Sequence, residues 1–520
     1  MIFFALTLTL AAQTIDPRFA NPNDWLTYDR DNTGQRYSPL TQVTRANVSQ
    51  LKAEWVFQIT RLPTRSEATP LVRDGIMYFT VGGEEAYALD ARTGRVLWNY
   101  LHKPAMSTES ADPSQPPRQG ANWNRGMAIS GTRVFMATSD CRLLSIDSRN
   151  GSLAWQANVR EGLPCFGTTG APLILGSRVL MGERGGDTGQ LRGHLDAYDM
   201  ETGKLSWRWF TIPAPGEPHA DSWPATDVWK VGGAATWTSG TYDPDLNLVF
   251  WPTGNPGPKD FDGSDRKGDN LYSNSVVALR PSSGERVWHY QFTPHDVWDW
   301  DSNETPVLID APWQGTPRKL LVQANRNGYL YVVDRTTGRF LRATSFAKAT
   351  WAREFTSDGR AIPHPTAMPN AKGARVCPDV HGGTNWQPPA YNPQTGLFYL
   401  TARDSCGIYF PNGPTIDFET QQPRQFFRAI EVGTGKVRWE FAFEGVQEVN
   451  HAGAMTTAGG LVFFSSREGQ FLAADAATGK VLWHFNTGGA IRAGPMTYSV
   501  RGKQYVAIMS KAAVFAFALP

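Results

Sequence analysis

The chain has 520 residues, with 50 Lys and Arg against 48 Asp and Glu, for a formal net charge of +2. So even a balance supplies no field to hold a polyanionic nucleic acid, and that class of partner is excluded. Fifty Gly, 36 Pro and 19 Trp describe a chain of many tight turns with a large stock of indoles to pack.

The chain opens on an apolar run, Met1 to Ala12. A dozen residues cannot span a bilayer but suit the core of a secretory signal, here without a basic leader; the alternative is a buried first strand. No later segment has the length of a transmembrane helix.

From Trp55 onward one phrase recurs: an apolar strand, then Asp-x-x-Thr-Gly, then a strand carrying Trp. It stands as Asp90-Ala-Arg-Thr-Gly-Arg-Val-Leu-Trp98, Asp199-Met-Glu-Thr-Gly-Lys-Leu-Ser-Trp207 and Asp475-Ala-Ala-Thr-Gly-Lys-Val-Leu-Trp483, with degenerate copies from Asp147 to Trp155, Arg280 to Trp288, Asp334 to Arg342 and Glu431 to Trp439. Arg342 stands where the other copies have Trp. Gly supplies a positive φ and the Asp side chain can bond the turn backbone, so each copy predicts a β-hairpin. One hairpin cannot bury its own apolar face, and repeats of this length must stack as propeller blades. With the strand ending near Trp55 the count is eight, which predicts an all-β, eight-bladed propeller over residues 24–520 as one domain. The long spacings after Trp207 and after Arg342 place the excess chain in loops.

The four cysteines are Cys141 and Cys165, in adjacent repeats, and Cys377 and Cys406, bracketing one long excursion. An even count at near-local spacing predicts two disulfides and an oxidising, periplasmic or secreted location, the alternative being four buried thiols. No Cys-x-x-Cys-His haem-attachment motif, His-Glu-x-x-His or phosphate loop occurs. Ser345-Phe-Ala-Lys348 has the spacing of a Ser-Lys nucleophile, a pattern expected by chance at this length.

Four loop segments carry chemistry. Trp237 closes Gly232-Gly-Ala-Ala-Thr-Trp; Asn255 sits in Thr253-Gly-Asn-Pro-Gly-Pro258; Asp299 and Asp301 end Thr293-Pro-His-Asp-Val-Trp-Asp-Trp-Asp301; Asn385 and Trp386 follow Gly382-Gly-Thr. Flat indoles, carboxylates and carboxamides together suit a planar cofactor beside a hard, oxygen-liganded cation. Each segment alone also reads as core, turn or solvated loop.

With these motifs in this order the sequence resembles the quinoprotein alcohol dehydrogenases, eight-bladed propellers that carry pyrroloquinoline quinone (PQQ). The resemblance implies that Glu67, Arg125, Thr169, Gly186, Trp237, Arg326, Asn385 and Trp386 hold the cofactor, with Trp237 stacked beneath it and Arg326 at its quinone oxygens. It implies that Asn255, Asp299 and Asp301 bind a Ca or lanthanide ion, with Asp187 the nearest carboxylate to the family's Glu ligand. It implies too that Asp299 acts as base, taking the hydroxyl proton of a small alcohol, and that electrons pass to a separate cytochrome c or other acceptor. A PQQ-dependent sugar or polyol dehydrogenase and a propeller scaffold without cofactor are the alternatives.

Two positions depart from the family pattern. Gln119 and Gly120 replace a pair of adjacent cysteines that covers the cofactor in many members, which nominates Trp123 as the cover. Gly185-Gly-Asp-Thr-Gly189 replaces Gly-Ala-Glu and leaves the reach of Asp187 open. Chain closure is expected to pack Trp25 to Tyr37 beside Tyr505 to Phe517.

Overall fold

Each Asp-x-x-Thr-Gly phrase closes a hairpin as its chemistry dictates. In the first copy the Gly94 N–H donates to the Asp90 carbonyl at 2.9 Å, and the Asp90 carboxylate accepts the Arg92 N–H at 2.9 Å. The computed structural model describes residues 19, 21–59, 67–82, 85–104, 123–187, 190–258, 261–417, 422–444, 452–466, 468–511 and 513–520. The N-terminal run 1–12 and the pair Gln119–Gly120 lie outside them.

Among the described residues eight antiparallel sheets of four principal strands follow one another along the chain. Blade 1 runs from an inner strand Leu71–Arg73 to an outer strand Val96–Leu101, blade 2 from Met127–Ser130 to Leu153–Asn158, blade 3 from Leu173–Leu175 to Leu205–Phe210, and blade 4 from Thr241–Asp243 to Arg286–Gln291. Blade 5 spans Val307–Trp313 to Arg339–Ser345, blade 6 Ala390–Asn392 to Val437–Phe443, and blade 7 Met455–Thr457 to Val481–Asn486. Blade 8 takes its inner three strands from the C-terminus and its outer strand, Lys52–Gln58, from the N-terminal part of the chain, with Trp55 opposite Ala516.

The indoles join the blades. Seven Trp side chains, from Trp55 to Trp483, donate their N–H to a main-chain carbonyl of the neighbouring blade at 3.0 to 3.2 Å or, for Trp98, at 2.9 Å. The carbonyl is that of the residue after the turn's first position, Asp in five copies and Arg280 in one, in all but the last, where Leu51 supplies it. The turn glycine makes room: a Cβ on Gly94 would stand 2.7 Å from the Trp55 ring, and one on Gly479 would stand 2.6 Å from Trp439. Where Arg342 replaces Trp, its guanidinium reaches the same place, 3.5 Å from the Val432 carbonyl and 2.5 Å from that of Gly433. The repeat therefore tolerates loss of the indole because what it needs is a donor at the end of a long apolar stem.

The inner strands face an axis that would leave their edges unpaired. The N-terminal segment covers six of the eight. It bonds blade 1 through Trp25 and Val72, blade 4 through Asn32 and Tyr242, blade 5 through Thr33 and Leu308, blade 6 through Gln35 and Tyr391, blade 7 through Arg36 and Thr456, and blade 8 through Asn23 and Ser499. Fully buried Arg36 ties it down, donating to the carbonyls of Tyr28, Ala454 (2.8 Å) and Pro495 (2.6 Å). This corrects the expected closure. Residues 25–37 are polar, turn-rich chain that fills the axis, and the alternating segment around Trp55 is the one that pairs with the C-terminal strand.

Both disulfides form, Cys141 with Cys165 and Cys377 with Cys406. No helix among the described residues is long and apolar enough to cross a membrane.

Deleting residues 501–520 removes the Ala513–Ala518 strand against which Lys52–Gln58 closes the ring. A cooperative thermal transition, followed by circular dichroism, should be lost in that variant; its retention would contradict closure at this seam.

Candidate active site

An antiparallel four-stranded blade returns its second-to-third-strand loop to the face on which the chain arrives at its first strand. The candidate residues use those two kinds of loop. Glu67, Thr169, Trp237 and Trp386 each stand four residues before an inner strand, at blades 1, 3, 4 and 6, and Arg125 stands two before blade 2. Asp299 and Asp301 lie on the approach to blade 5, whereas Asn255 and Arg326 follow the second strands of blades 4 and 5. Eight sheets thus bring distant residues to one mouth.

At one end Arg125 is nearly fully buried. Its guanidinium lies 3.1 Å from the Glu67 carboxylate, donates to Thr169 Oγ1 at 2.8 Å, and sits 4.7 Å from the Trp237 ring centre and 4.2 Å from that of Trp386. A cation on two indole faces with a buried carboxylate partner is a fixed, desolvated positive charge. Tyr28, from the axial segment, packs beneath this cluster with Ala171 and Trp386.

At the other end Arg326 donates to Asp301 Oδ2 at 2.6 Å and to the Val380 carbonyl at 2.6 Å, with Asp299 Oδ2 at 4.0 Å. Burial alone would lower the guanidinium, but the carboxylates of Asp301, Asp299 and Glu304 hold it above its ordinary value. Asp301 Oδ1 accepts the Asn255 N–H at 3.1 Å and the Trp237 indole N–H at 3.3 Å. One carboxylate thereby joins three candidate residues, and Trp237 spans the two cationic ends.

Asp299 lies between two buried indoles, Trp298 and Trp300, stacked at 5.0 Å. Its φ of +65° is left-handed, a conformation that costs a residue with a side chain about 1–2 kcal/mol and that Asp tolerates better than most. Asn385 donates to the His381 carbonyl at 3.3 Å and accepts the Trp386 N–H at 2.9 Å; the preceding Gly383 N–H bonds the Arg326 carbonyl at 2.8 Å. Gly186 acts as a spacer: a Cβ there would stand 2.9 Å from Gly233, which packs in turn on the Asn255 loop. Asp187, the next residue, is exposed, and no cluster of three His, Cys, Asp or Glu gathers among the described residues. Trp123 stacks 5.2 Å from the guanidinium of Arg184, beside the Glu183 loop.

Several residues of the site are not singled out by the sequence. The Asn303 carboxamide, turned with its oxygen inward, accepts the Trp237 indole N–H at 3.0 Å and the Gly254 N–H at 2.8 Å. Glu304 is fully buried behind Arg326, and burial raises its carboxyl well above the ordinary range despite that cation. Asp296 is likewise buried and raised by burial, against the N–H groups of Trp298 and Trp300 and the charge of Arg266. The one visible signal for Asn303 and Glu304 is an unbroken polar run, Asp301 to Thr305, that a surface loop would leave exposed and this fold buries.

Known proteins resolve what such a mouth belongs to. Residues 25–345 and 430–506 match the family model described as the glucose/ethanol/alcohol dehydrogenase beta-propeller domain of the PQQ proteins. The chain belongs to the quinoprotein alcohol dehydrogenase family. It is 35% identical to quinohemoprotein alcohol dehydrogenase ADH IIB of Pseudomonas putida, over 94% of this chain and 73% of that protein. To quinoprotein alcohol dehydrogenase PedH of Pseudomonas putida it is also 35% identical, over 95% of this chain and 87% of the relative. The crystal structure of the quinohemoprotein alcohol dehydrogenase from Comamonas testosteroni superposes with a TM-score of 0.89 at 32% identity, covering 98% of this chain and 83% of that one. A europium-containing methanol dehydrogenase superposes at 0.86 with 28% identity, covering 96% and 99%.

The residues present fit the groups this family uses. Two buried cations bracket a flat indole, and Tyr28 Oη, Thr69 Oγ1 and Arg326 Nε are buried with no hydrogen-bond partner, the condition in which a bound polar group or water is required. Asn255, Asp299 and Asp301 offer a carboxamide and two carboxylates, a donor set suited to a hard cation.

Breaking the buried pair at the first end should be costly. Arg125→Ala leaves Glu67 buried without its cation and should lower the unfolding free energy by about 3–5 kcal/mol, read by urea titration. Glu67→Gln with Arg125→Met should cost less than Arg125→Ala alone.

Proposed function

We propose that the mouth between Arg125 and Arg326 is where this quinoprotein alcohol dehydrogenase binds PQQ and a hard cation and oxidises a small alcohol to its aldehyde. The observation that carries this reading is Asp301, whose single carboxylate joins Trp237, Asn255 and Arg326. When bound, PQQ accepts the hydride equivalent of the alcohol carbon while the cation, Ca or a lanthanide, polarises the quinone.

The chain's own groups do the rest. Trp237 offers the planar face. Arg125 and Thr169, backed by Glu67, suit a carboxylate of the cofactor at the buried end; Arg326 suits the quinone oxygens at the other, with Asn385 and Trp386 beside it. Asp299, held on a rigid turn between two indoles, takes the alcohol's hydroxyl proton. Asn255, Asp299 and Asp301 hold the cation, which must share Asp301 with Arg326. Asp187, the remaining candidate ligand, is exposed beside Gly186. Trp123, stacked with Arg184, serves as cover.

Electrons leave to a separate acceptor such as a cytochrome c. We assign the protein to the periplasm or the cell exterior, on the two disulfides.

An absorbance titration with PQQ in the presence of Ca or a lanthanide should reach one equivalent, and ethanol should then reduce an artificial dye. Absence of binding with either metal would contradict the reading. Asp299→Asn, which suits the left-handed backbone, should bind PQQ as the parent does and lose about 10²–10⁴-fold in kcat, the range expected for a general base. Metal titration of Asp301→Ala should show weakened lanthanide dependence; an unchanged titration would remove Asp301 from the ligand set.

A further inference from the structure

We infer that Asp296 is the positioning residue for the catalytic base, one buried carboxylate that grips the peptide N–H on either side of Asp299 and thereby fixes its left-handed turn. This rests on the reading of Asp299 as the base. Asp296 Oδ1 accepts the Trp298 N–H at 2.8 Å, and Oδ2 accepts the Trp300 N–H at 2.8 Å. Two acceptors on one rigid group bracket residue 299, whose φ of +65° would otherwise relax.

The clasp is itself held. Asn274 Nδ2 donates to Asp296 Oδ2 at 3.1 Å and also to the Trp300 carbonyl, while the Asn274 N–H bonds Gly254 at 2.9 Å. Fully buried Arg266 donates to the Asp296 carbonyl at 2.7 Å and to that of Pro258 at 3.1 Å. Both connections lead to the loop that carries Asn255, so the base and the carboxamide are set by one hydrogen-bonded frame. From the other side the Trp298 indole donates to the Ala367 carbonyl and the Trp300 indole to that of Asp379, each at 2.9 Å. Asp379 is in turn pinned by buried Arg403 at 2.5 Å. With its flanking peptides and indoles fixed, Asp299 retains only its side-chain torsions, the pre-organisation a proton acceptor needs.

Asparagine at 296 keeps the size but has one acceptor oxygen for two N–H donors. In Asp296→Asn, reconstituted with PQQ and Ca and assayed with ethanol and a dye, kcat should fall by about 100-fold, the loss expected from misplacing a reacting group by about 1 Å. The alcohol KM and the PQQ affinity should stay within about two-fold. Without PQQ or metal, amide hydrogen exchange at Trp298 and Trp300 should quicken at least about ten-fold. On the Asp299→Asn background the same change should cost no further activity, because it acts through the side chain already removed.

Unchanged kcat or exchange would overturn the proposal, as would a fall in kcat that comes with equal loss of PQQ binding or adds in full to that of Asp299→Asn. Should Asp299→Asn keep the parent's kcat, the base assignment fails; the exchange readout tests the clasp apart from it. If Asp296→Asn does not accumulate folded, Trp300→Phe keeps an aromatic ring against Trp298 and removes the indole N–H, with part of the ring, from the same frame. A several-fold lower kcat at constant KM would support the proposal, and the parent's kcat would overturn it.

Discussion

A closed ring of antiparallel blades has two structural needs: neighbouring sheets must be locked at their outer strands, and inner strands must not be left with open edges at the axis. The outer need is met by an indole N–H donated across each seam, and by Arg342 at the seam without an indole. The inner need is met by residues 23–38, whose backbone bonds six blades in turn. Each hydrogen bond contributes only about 1 kcal/mol net, but a missing one would leave a buried donor or acceptor unsatisfied, which costs more. The site depends on both arrangements, because its residues come from six of the eight blades and Tyr28 of the axial segment packs against it.

The hairpins, their number and the disulfides were legible because each rests on local chemistry: Gly for a left-handed turn, Asp to bond its backbone, Trp to dock. The identity of the closing strand was less so. Residues 25–37 and 52–58 both lie ahead of the first complete repeat, and only the second alternates in strand fashion; a polar segment that fills an axis leaves no periodic trace. Among site residues, Trp237, Asp299 and Asn255 stand in distinctive motifs. Asn303 and Glu304 do not, and Asp296, though inside the motif of Asp299, is not singled out by it, since what marks all three is burial, and burial of a polar loop is decided by blades far away in sequence.

The two ends of the mouth are electrostatically unlike. Arg125 is neutralised by Glu67 and shielded by two indoles. Arg326 faces Asp301, Asp299 and the buried Glu304, a surplus of acidic groups around one cation. An environment of that kind suits a further cation at the Asp299 end, while at the other end Arg125, already paired with Glu67, and Thr169 offer hydrogen-bonding groups to a polar edge. The difference runs along the Trp237 ring, which contacts Arg125 at one side and Asp301 at the other.

The most direct measurement is a crystal structure of the protein loaded with PQQ and Ca or a lanthanide. The account predicts the cofactor plane lying on Trp237, a carboxylate at Arg125, and the ion among Asn255, Asp299 and Asp301. A cofactor located elsewhere, or an ion that does not touch Asp299 or Asp301, would contradict it.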